Sequence, residues 1–296
     1  KAPYWRHPSE QQMIQVDIDG HTLGANKPAA INVLADAKLF LAALAERLVP
    51  LTGRMNLESR RRKVAKYRDK AREERAKLDE KLADLAVPMN SAHVAHVCEQ
   101  VFPPESVLVA DGGNAAVWAM MFTQSRVPNT ILSTFKMGML GAGVAQATGA
   151  AVARPEHPVC CIIGDGAMGF HPQEVETAVR NGLQVIYVVL CDRQWGMVKM
   201  NQQFMLKPIK TLIRKSLGPD ETIKADLGEI RFDDLARSMG AHGERVADPR
   251  ELKAALERAI ASGGPAVVHV DVDPVKHMWA PGLMHFKDMH QEPKGK

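Results

Sequence analysis

The chain has 296 residues, of which 46% are hydrophobic and 24% charged, a composition typical of a globular protein with one large domain or two small ones. No apolar run approaches the roughly 20 residues that cross a bilayer, and no N-terminal segment is typical of a signal peptide. A net charge of +4 with only 5% aromatic residues does not indicate a nucleic-acid-binding protein. The four cysteines include no CxxC pair, so they predict neither a zinc site nor a disulfide framework. We therefore expect a soluble, cytoplasmic protein that binds neither membranes nor nucleic acids.

Residues 1–50 are typical of the end of an α/β domain. An alternating run over residues 13–19 predicts a strand, and a helix is expected from about Asp36 to Val49, with Asp36 as its N-cap. One strand and one helix cannot enclose a core, so we expect the rest of this domain to lie elsewhere. The chain begins at Lys1 without an initiator methionine, which favours a fragment or a subunit of a larger enzyme and leaves a cleaved chain open.

Residues 58–84 are predicted to form a long helix within a linker that spans residues 51–88. Eighteen of these 27 residues are charged, and apolar residues recur at intervals of seven from Val64 to Leu85. The basic run at residues 60–63 is typical of a nucleic-acid arm, but acidic residues further along the helix offset its charge. We interpret the segment as a solvated connecting helix that ends before Pro88.

Residues 89–275 alternate between predicted strands and predicted helices. The strands are expected at 107–110, 130–133, 159–163, 185–190 and 266–271, and the helices at about 92–101, 142–153, 173–182, 231–240 and 249–262. The central strands are continuously apolar, as strands buried on both faces are. This order predicts a doubly wound parallel sheet with helices on both faces and with ligands at the carboxyl ends of the strands.

Two carboxylates are predicted to emerge at that edge of the sheet. Gly164-Asp165-Gly166 follows the strand at 159–163 directly, and Asp192 follows the next predicted strand, 27 residues later. In a β-α-β unit the two strand ends are neighbours, so both carboxylates can reach one ion. Glycines at a strand end also bring peptide N–H groups close to an anion. Phosphate together with Mg²⁺ is the ligand that suits this pattern, although Gly-Asp-Gly alone is also common in simple turns.

This segment resembles the thiamine-diphosphate-binding motif of the acetolactate synthase-like enzymes. That motif opens with Gly-Asp-Gly and closes with Asn-Asn just under thirty residues later. By the resemblance, Mg²⁺ is bound by Asp165, by Asp192 and by the backbone carbonyl of Gln194. This sequence departs from the motif in having Cys191-Asp192 in place of Asn-Asn, but aspartate is an equally good oxygen ligand. We interpret Cys191 as a core residue.

Two further loops carry the resemblance. Residues 111–114 are similar to the first loop on the diphosphate side in the family. Residues 138–143 are similar to the Gly-x-Met-Gly-x-Gly segment, in which Leu140 takes the place of the apolar residue that supports the bent cofactor. The resemblance therefore implies that the cofactor is bound by Gly112, Gly113, Asn114, Gly138, Leu140, Gly164, Asp165, Gly166, Ala167, Asp192, Trp195, Gly196 and Met197. It leaves the catalytic residues of this chain unknown.

The resemblance also implies what lies outside the sequence. Residues 1–50 correspond to the end of the family's middle domain and residues 89–275 to its whole pyrophosphate-binding domain. The glutamate that activates thiamine diphosphate lies, in the family, on a pyrimidine-binding domain that this sequence lacks. We therefore expect that domain to come from another chain or from a missing N-terminal part, within a dimer or tetramer. Whether FAD binds to the absent part cannot be read from this sequence.

The C-terminal third of the sequence bears on the substrate, and two alternative functions remain open. Apolar side chains between Trp195 and Phe204 are expected either to line a substrate pocket or only to cover the core. The tail at 276–296 is interpreted as a lid or as a segment that covers a partner. We predict an enzyme that makes or breaks a C–C bond next to a carbonyl, acting on a 2-oxo acid or 2-hydroxyacyl substrate. A 2-hydroxyacyl-CoA lyase or oxalyl-CoA decarboxylase type, and a non-catalytic assembly or regulatory subunit, are the alternatives.

Overall fold

A computed structural model describes residues 10–82, 84–134 and 137–280 of the chain. The residues fall into two compact units, Lys1–Ala76 and Lys77–Lys296. Most of the predicted tail, from residue 281 onward, lies outside the described residues. Within the described ranges, no helix combines the length and the apolar character needed to span a membrane.

The first unit contains a small parallel sheet followed by helices. Strand β1 (Ile14–Asp17) pairs with β2 (Ile31–Leu34), and α1 (Ala37–Leu48) leads into a 3₁₀ helix at Val49–Arg54. The predicted strand and helix are confirmed, and the Asp36 carboxylate caps α1 by accepting a hydrogen bond from the Leu39 N–H at 3.0 Å. Strand β2, with the sequence Ile-Asn-Val-Leu, was not predicted. No described residue between 10 and 76 is buried.

The long charged helix is confirmed as α2 (Leu57–Leu82), which runs across the boundary between the two units. Its described residues run to Leu82, and residue 83, which the prediction also includes, lies outside the described residues. Val64 is 55% exposed, Leu78 packs against the core of the second unit, and Leu82 is buried there. The predicted seven-residue stripe thus meets a core only in the last turns of the helix, and Leu85 lies outside it with 43% of its surface exposed.

The second unit is built on a six-stranded parallel sheet. Its strands are β3 (Leu108–Asp111), β4 (Ile131–Ser133), β5 (Val159–Gly164), β6 (Val185–Cys191), β7 (His242–Val246) and β8 (Ala266–Asp271), arranged in the order β4-β3-β5-β6-β8-β7. The predicted doubly wound fold is confirmed, and each of the five predicted strands is present within one residue. The edge strand β7 was missed because its sequence, His-Gly-Glu-Arg-Val, is mostly polar.

Ten helices surround the described part of this sheet. They are α3 (Ser91–Val101), α4 (Asn114–Phe122), α5 (Ala142–Ala153), α6 (Asp165–Met168), α7 (Glu174–Arg180), α8 (Gly196–Leu206), α9 (Pro208–Arg214), α10 (Phe232–Ser238), α11 (Pro249–Ala261) and α12 (Pro274–Met278). Helices α3, α5, α7, α10 and α11 confirm the five predicted helices. The others were missed. In α4 the reason is that nearly all of its residues are apolar, so it has no amphipathic pattern to detect.

Two hydrophobic cores cover the two faces of the sheet. Along β6, Ile186, Val188 and Leu190 belong to one core with α3, α4 and α11, while Tyr187 and Val189 belong to the other with α5, α7 and α10. All seven residues of β6 are buried. Each such aliphatic side chain contributes about 1.5–3 kcal/mol to folding. This two-sided burial holds the strand ends in fixed positions.

The strand order reverses beside β3. From β3 the chain continues to β4 on one side, and it later returns to β5 on the other side. In doubly wound sheets, ligands bind in the crevice that opens at the carboxyl ends of two such strands. Gly112 and Gly164 lie at this point, where a Cβ atom on Gly112 would be 3.3 Å from the Gly164 nitrogen. The fold therefore places both predicted diphosphate-side loops at the switch point of the sheet.

Candidate functional site

Asp165 joins two loops at the carboxyl edge of the sheet. It follows β5 and is 8% exposed. One carboxylate oxygen accepts a hydrogen bond from the Gly166 N–H at 2.7 Å, and the other accepts one from the Arg193 N–H, also at 2.7 Å. Arg193 lies in the loop after β6 and has a left-handed backbone, with φ of 56°. The carboxylate thus connects the loop of β5 to the loop of β6.

Asp192 lies beside Asp165, as the spacing predicts. It is 7% exposed and directly precedes Arg193, whose N–H donates to Asp165, and the two carboxyl groups interact electrostatically. The structure therefore brings the two predicted metal ligands to one point.

The pKa values of this pair indicate which kind of ligand the residues fit. Burial raises the pKa of Asp165 to about 7, and the charge of Asp192 adds to that rise. Burial also raises the pKa of Asp192 to about 7, against the lowering effect of its hydrogen bonds from Gln194. Two buried carboxylates are costly together unless a cation compensates them. Mg²⁺ prefers one or two carboxylates with phosphate oxygens, so the residues fit this ion.

Gln194, the third predicted ligand, contacts Asp192 through its side chain. Its amide nitrogen donates to an oxygen of Asp192 at 3.0 Å and to the Pro274 carbonyl at 2.7 Å. Its backbone forms an antiparallel bridge with Asp226, in which the hydrogen bonds come from neighbouring residues. The Gln194 carbonyl takes no part in that bridge. The side-chain role was not predicted.

Asn114 places an unpartnered amide next to Asp192. It is the first residue of α4 and is 4% exposed, and neither its side-chain oxygen nor its nitrogen has a partner among the described residues. A Cβ atom on Gly196 would be 2.6 Å from this nitrogen and 3.2 Å from the Asp192 oxygen. Buried amides are almost always hydrogen-bonded, so the position fits a polar ligand. The N-termini of α4 and α8 also meet here, which favours an anion.

Other predicted residues pack closely around this point. A Cβ atom on Gly166 would be 2.7 Å from the Trp195 ring, and one on Gly113 would be 2.8 Å from the Met197 Cβ. The Ala167 Cβ lies 3.6 Å from the corresponding position on Gly112. The predicted residues after β3, β5 and β6 therefore form one cluster with no room for larger side chains at the glycines.

The loop before α5 reaches the same cluster from one side. Gly138 and Gly141 have φ values of 63° and 84°, in the left-handed region. A Cβ atom on Gly141 would be 3.3 Å from the Ala167 carbonyl oxygen, while one on Gly138 would meet open space. Leu140 is partly buried against the core that α5 covers. The structure thus places the loop beside the cluster. The expected role of Leu140 in supporting the cofactor stays a prediction.

Asp111 was not among the predicted site residues, although it connects three of these loops. It is fully buried at the end of β3. One oxygen accepts hydrogen bonds from the Gly112 N–H at 2.5 Å and the Thr134 hydroxyl at 3.1 Å, and the other accepts from the Gly143 N–H at 2.8 Å. Its position at the end of a buried strand was the available signal.

The predicted substrate segment forms α8. Met200 and Gln203 are buried within it, whereas Val198 is 48% exposed. The Trp195 ring packs edge-on against Phe170, with the ring centroids 5.9 Å apart. Part of the segment therefore covers the core and part faces outward, and a substrate pocket at the outward part stays a prediction.

All four cysteines are buried and free. Burial raises the pKa of the Cys191 thiol well above its usual range, with nearby carboxylates contributing to the rise. A buried thiol of this kind is unreactive, which agrees with the interpretation of Cys191 as a core residue.

The second unit matches a known family. Residues 111–270 match the family model described as "Thiamine pyrophosphate enzyme, C-terminal TPP binding domain", where TPP is thiamine diphosphate. The match covers more than half of the chain and includes the carboxyl ends of β3, β5 and β6. The chain belongs to this family. The resemblance to acetolactate synthase-like enzymes and the prediction of a thiamine-diphosphate-binding domain are therefore confirmed.

The curated proteins that are similar to this chain include several acetolactate synthases. The chain is 34% identical to the acetolactate synthase large subunit IlvG of Mycobacterium tuberculosis over 194 residues. These residues make up 65% of this chain and 33% of the relative. It is 30% identical over 177 residues to the acetolactate synthase isozyme 2 large subunit of Escherichia coli, covering 60% and 30%. The chain thus spans about a third of the length of these relatives.

Solved structures show the same fold. Benzoylformate decarboxylase from Polynucleobacter necessarius superimposes with a TM-score of 0.57 and 24% identity, over 64% of this chain and 34% of that chain. A thiamin diphosphate-dependent enzyme from Mycobacterium smegmatis gives a TM-score of 0.52 at 22% identity, over 63% and 32%. At these identities the likeness supports the fold alone.

Proposed function

We propose that this thiamine-diphosphate-binding domain anchors the cofactor's diphosphate through Mg²⁺ held by Asp165, Asp192 and the Gln194 carbonyl. The observation that carries the proposal is the pair of buried, interacting carboxyl groups beside the unpartnered amide of Asn114. A divalent cation would compensate the pair, and a diphosphate oxygen would be a partner for the amide. The N-termini of α4 and α8 favour the same anion.

The remaining predicted residues surround the cofactor in this proposal. Gly112, Gly164 and Gly166 allow the backbone to approach it closely, and Trp195 and Met197 close the cluster from the side of α8. When bound, thiamine diphosphate supplies a nucleophilic carbon that attacks a carbonyl and an electron sink for the bond that breaks. In this proposal the chain holds and orients the diphosphate and excludes water from the metal.

The whole protein is proposed to be a lyase or transferase of the acetolactate synthase type, acting on a 2-oxo acid or 2-hydroxyacyl substrate. The named relatives support this reaction class. The activating glutamate would come from a pyrimidine-binding domain on another chain or on a further part of the protein, in a dimer or tetramer. We place the protein in the cytoplasm because its four cysteines are free and buried. FAD binding is not part of the proposal.

The domain organisation remains a proposal as well. Residues 1–50 would be the end of a middle domain, 51–88 a helical linker, 89–275 the pyrophosphate-binding domain and 276–296 a lid. The described start of that last segment is already ordered, because residues 276–278 belong to α12.

The direct test is binding of thiamine diphosphate and Mg²⁺ to the intact assembled protein, followed by native mass spectrometry. This measurement shows the bound cofactor and every polypeptide in the complex together. Asp165→Ala should abolish Mg²⁺-dependent cofactor binding while the far-UV circular dichroism stays unchanged. Cofactor affinity equal to that of the wild type in Asp165→Ala would reject the metal assignment.

A further inference from the structure

Helix α12 packs behind the carboxylate pair. It follows β8 at the carboxyl edge of the sheet, and Asp273 caps it by accepting hydrogen bonds from the Val275 and Lys276 N–H groups, both at 2.9 Å. Two of its residues, His277 and Met278, are buried. The sequence predicted no ordered element here, so the contacts of α12 with the site were not expected.

The His277 ring is fixed on the side away from the site. Its Nδ1 atom is 2.6 Å from the Ser91 hydroxyl oxygen, and Ser91, the first residue of α3, is 1% exposed. The main-chain carbonyl of His277 accepts a hydrogen bond from the Trp118 indole at 2.8 Å. Both the ring and the backbone of His277 are therefore held by residues of other helices.

The other ring nitrogen faces the metal ligands. His277 Nε2 lies 4.0 Å from Oδ2 of Asp192, and the ring also interacts electrostatically with Asp165. The same Asp192 oxygen accepts the hydrogen bond from Gln194, whose amide also bonds to the carbonyl of Pro274, the first residue of α12. Helix α12 is thus linked to Asp192 by the hydrogen bonds of Gln194, and it also places the His277 ring 4.0 Å from the carboxylate.

The chemistry of aspartate explains why such partners are needed. A carboxylate only accepts hydrogen bonds, so Asp192 depends on donors from elsewhere, whereas the asparagine of the resembling motif carries its own N–H group. When the Ser91 hydroxyl donates to Nδ1, the proton of the neutral imidazole lies on Nε2 and points toward Asp192. The Gln194 amide bonds to Oδ2 and the His277 N–H lies 4.0 Å from the same atom, so both favour an orientation in which the other oxygen is free for a cation.

We propose that His277, held by Ser91, is a positioning residue that orients the Asp192 carboxylate toward the metal. This inference rests on the proposed Mg²⁺ site. Removing a residue that supports a metal ligand without binding the metal typically lowers metal affinity by about 10- to 100-fold. The role is distinct from metal ligation, since the imidazole contacts the carboxylate rather than the ion.

The experiment compares Mg²⁺ affinity in variants of the intact assembled protein, measured by titration calorimetry with saturating thiamine diphosphate. His277→Phe keeps the ring volume but removes both nitrogens and should weaken Mg²⁺ binding about 10- to 100-fold. His277→Gln retains a side-chain N–H near the Nε2 position and should recover most of that loss. Ser91→Ala, a smaller change, should weaken binding in the same direction but less.

The matched control is His93→Phe. His93 is also a buried histidine, bonded to the Leu82 carbonyl at 3.0 Å and to the Pro249 carbonyl at 3.3 Å, away from the carboxylates. Its substitution should lower Tm and leave Mg²⁺ affinity unchanged. A second readout is the electron paramagnetic resonance spectrum of bound Mn²⁺, which should change in His277→Phe and not in His93→Phe.

The outcomes separate this inference from the proposed function. Suppose that the wild type binds Mg²⁺ and that His277→Gln and Ser91→Ala bind it with the same affinity. If His277→Phe then keeps that affinity as His93→Phe does, the positioning role is wrong and the metal site stands. If the wild type binds thiamine diphosphate with no requirement for a divalent ion, the proposed site and the inference both fail. Should His277→Phe not fold, the Ser91→Ala and His277→Gln affinities decide the question.

Discussion

The two units of this chain use similar local signals with very different results. In the first unit, β1 and β2 form a two-stranded parallel sheet, yet apolar residues such as Ile14 and Leu34 remain 59% and 65% exposed. In the second unit, β5 and β6 lie in a six-stranded sheet and nearly every residue of both strands is buried. A parallel strand forms a core only when other strands flank it and helices cover both its faces. The rigid strand ends of the second unit can therefore hold a site.

The largest expected difference is in stability. Ile162 is fully buried in the centre of β5, so Ile162→Ala should lower the free energy of unfolding of the second unit by about 2–5 kcal/mol. Ile14→Ala, at a residue that is 59% exposed, should change stability by less than about 0.5 kcal/mol. Urea denaturation monitored by circular dichroism measures both. Equal losses from the two variants would show that the first unit has a core that its own strands do not provide.

A smaller contrast separates glycines of the two units. Gly196→Ala places a methyl group 2.6 Å from the Asn114 nitrogen, whereas Gly53→Ala meets nothing within 4 Å. We expect Gly196→Ala to weaken binding of thiamine diphosphate with Mg²⁺ at least about tenfold, because it displaces both Asn114 and Asp192. Gly53→Ala should leave binding unchanged. Normal cofactor affinity in Gly196→Ala would mean that Asn114 and Asp192 do not contact the cofactor or its metal.

The smallest expected effect concerns the charge of the carboxylate pair. Asp192 has a folded-state pKa of about 7, above its ordinary value of 3.8, so the metal-free protein loses stability as pH rises from about 4 to about 7. Asp192→Asn removes that contribution and should keep Mg²⁺ binding, because the amide oxygen is also a ligand. Its Tm in chelator, relative to the wild type, should rise by at least about 2–4 °C between about pH 4 and pH 7 and stay level above that range, since 1 kcal/mol shifts Tm by this amount in a domain of this size.

Scanning fluorimetry at a series of pH values measures this difference directly. His277 and His269 have lowered pKa values and change stability in the opposite direction, but they are present in both proteins and largely cancel in the comparison. A Tm difference that does not depend on pH would contradict the burial of two interacting carboxyl groups.

Sequence reasoning succeeds in this molecule where the signal is local. Continuous apolar runs identified the buried strands, and the Gly164-Asp165-Gly166 turn with Asp192 identified the two strand ends that meet. Such features depend on residues close together in the chain and on the rule that neighbouring parallel strands end at the same edge. The sheet then brings Asp165 and Asp192 together.

The contacts that sequence reasoning missed depend on distant residues. The hydrogen bond between Ser91 and His277 joins positions 186 residues apart, and no periodicity or motif marks either residue. Gln194 was expected to act through its carbonyl, but the bond of its side chain to Pro274 depends on where α12 lies. Positions of this kind follow from the packing of the whole unit, which a single sequence does not reveal.

The central claim is that one metal ion is held between two adjacent strand ends. The most direct measurement is an experimental structure of the intact protein with thiamine diphosphate and Mg²⁺ bound. We predict an ion with a carboxylate oxygen of Asp165 and one of Asp192 each at about 2.1 Å, and with diphosphate oxygens completing its coordination. An ion bound away from both side chains, or a cofactor whose diphosphate lies at another edge of the sheet, would contradict it.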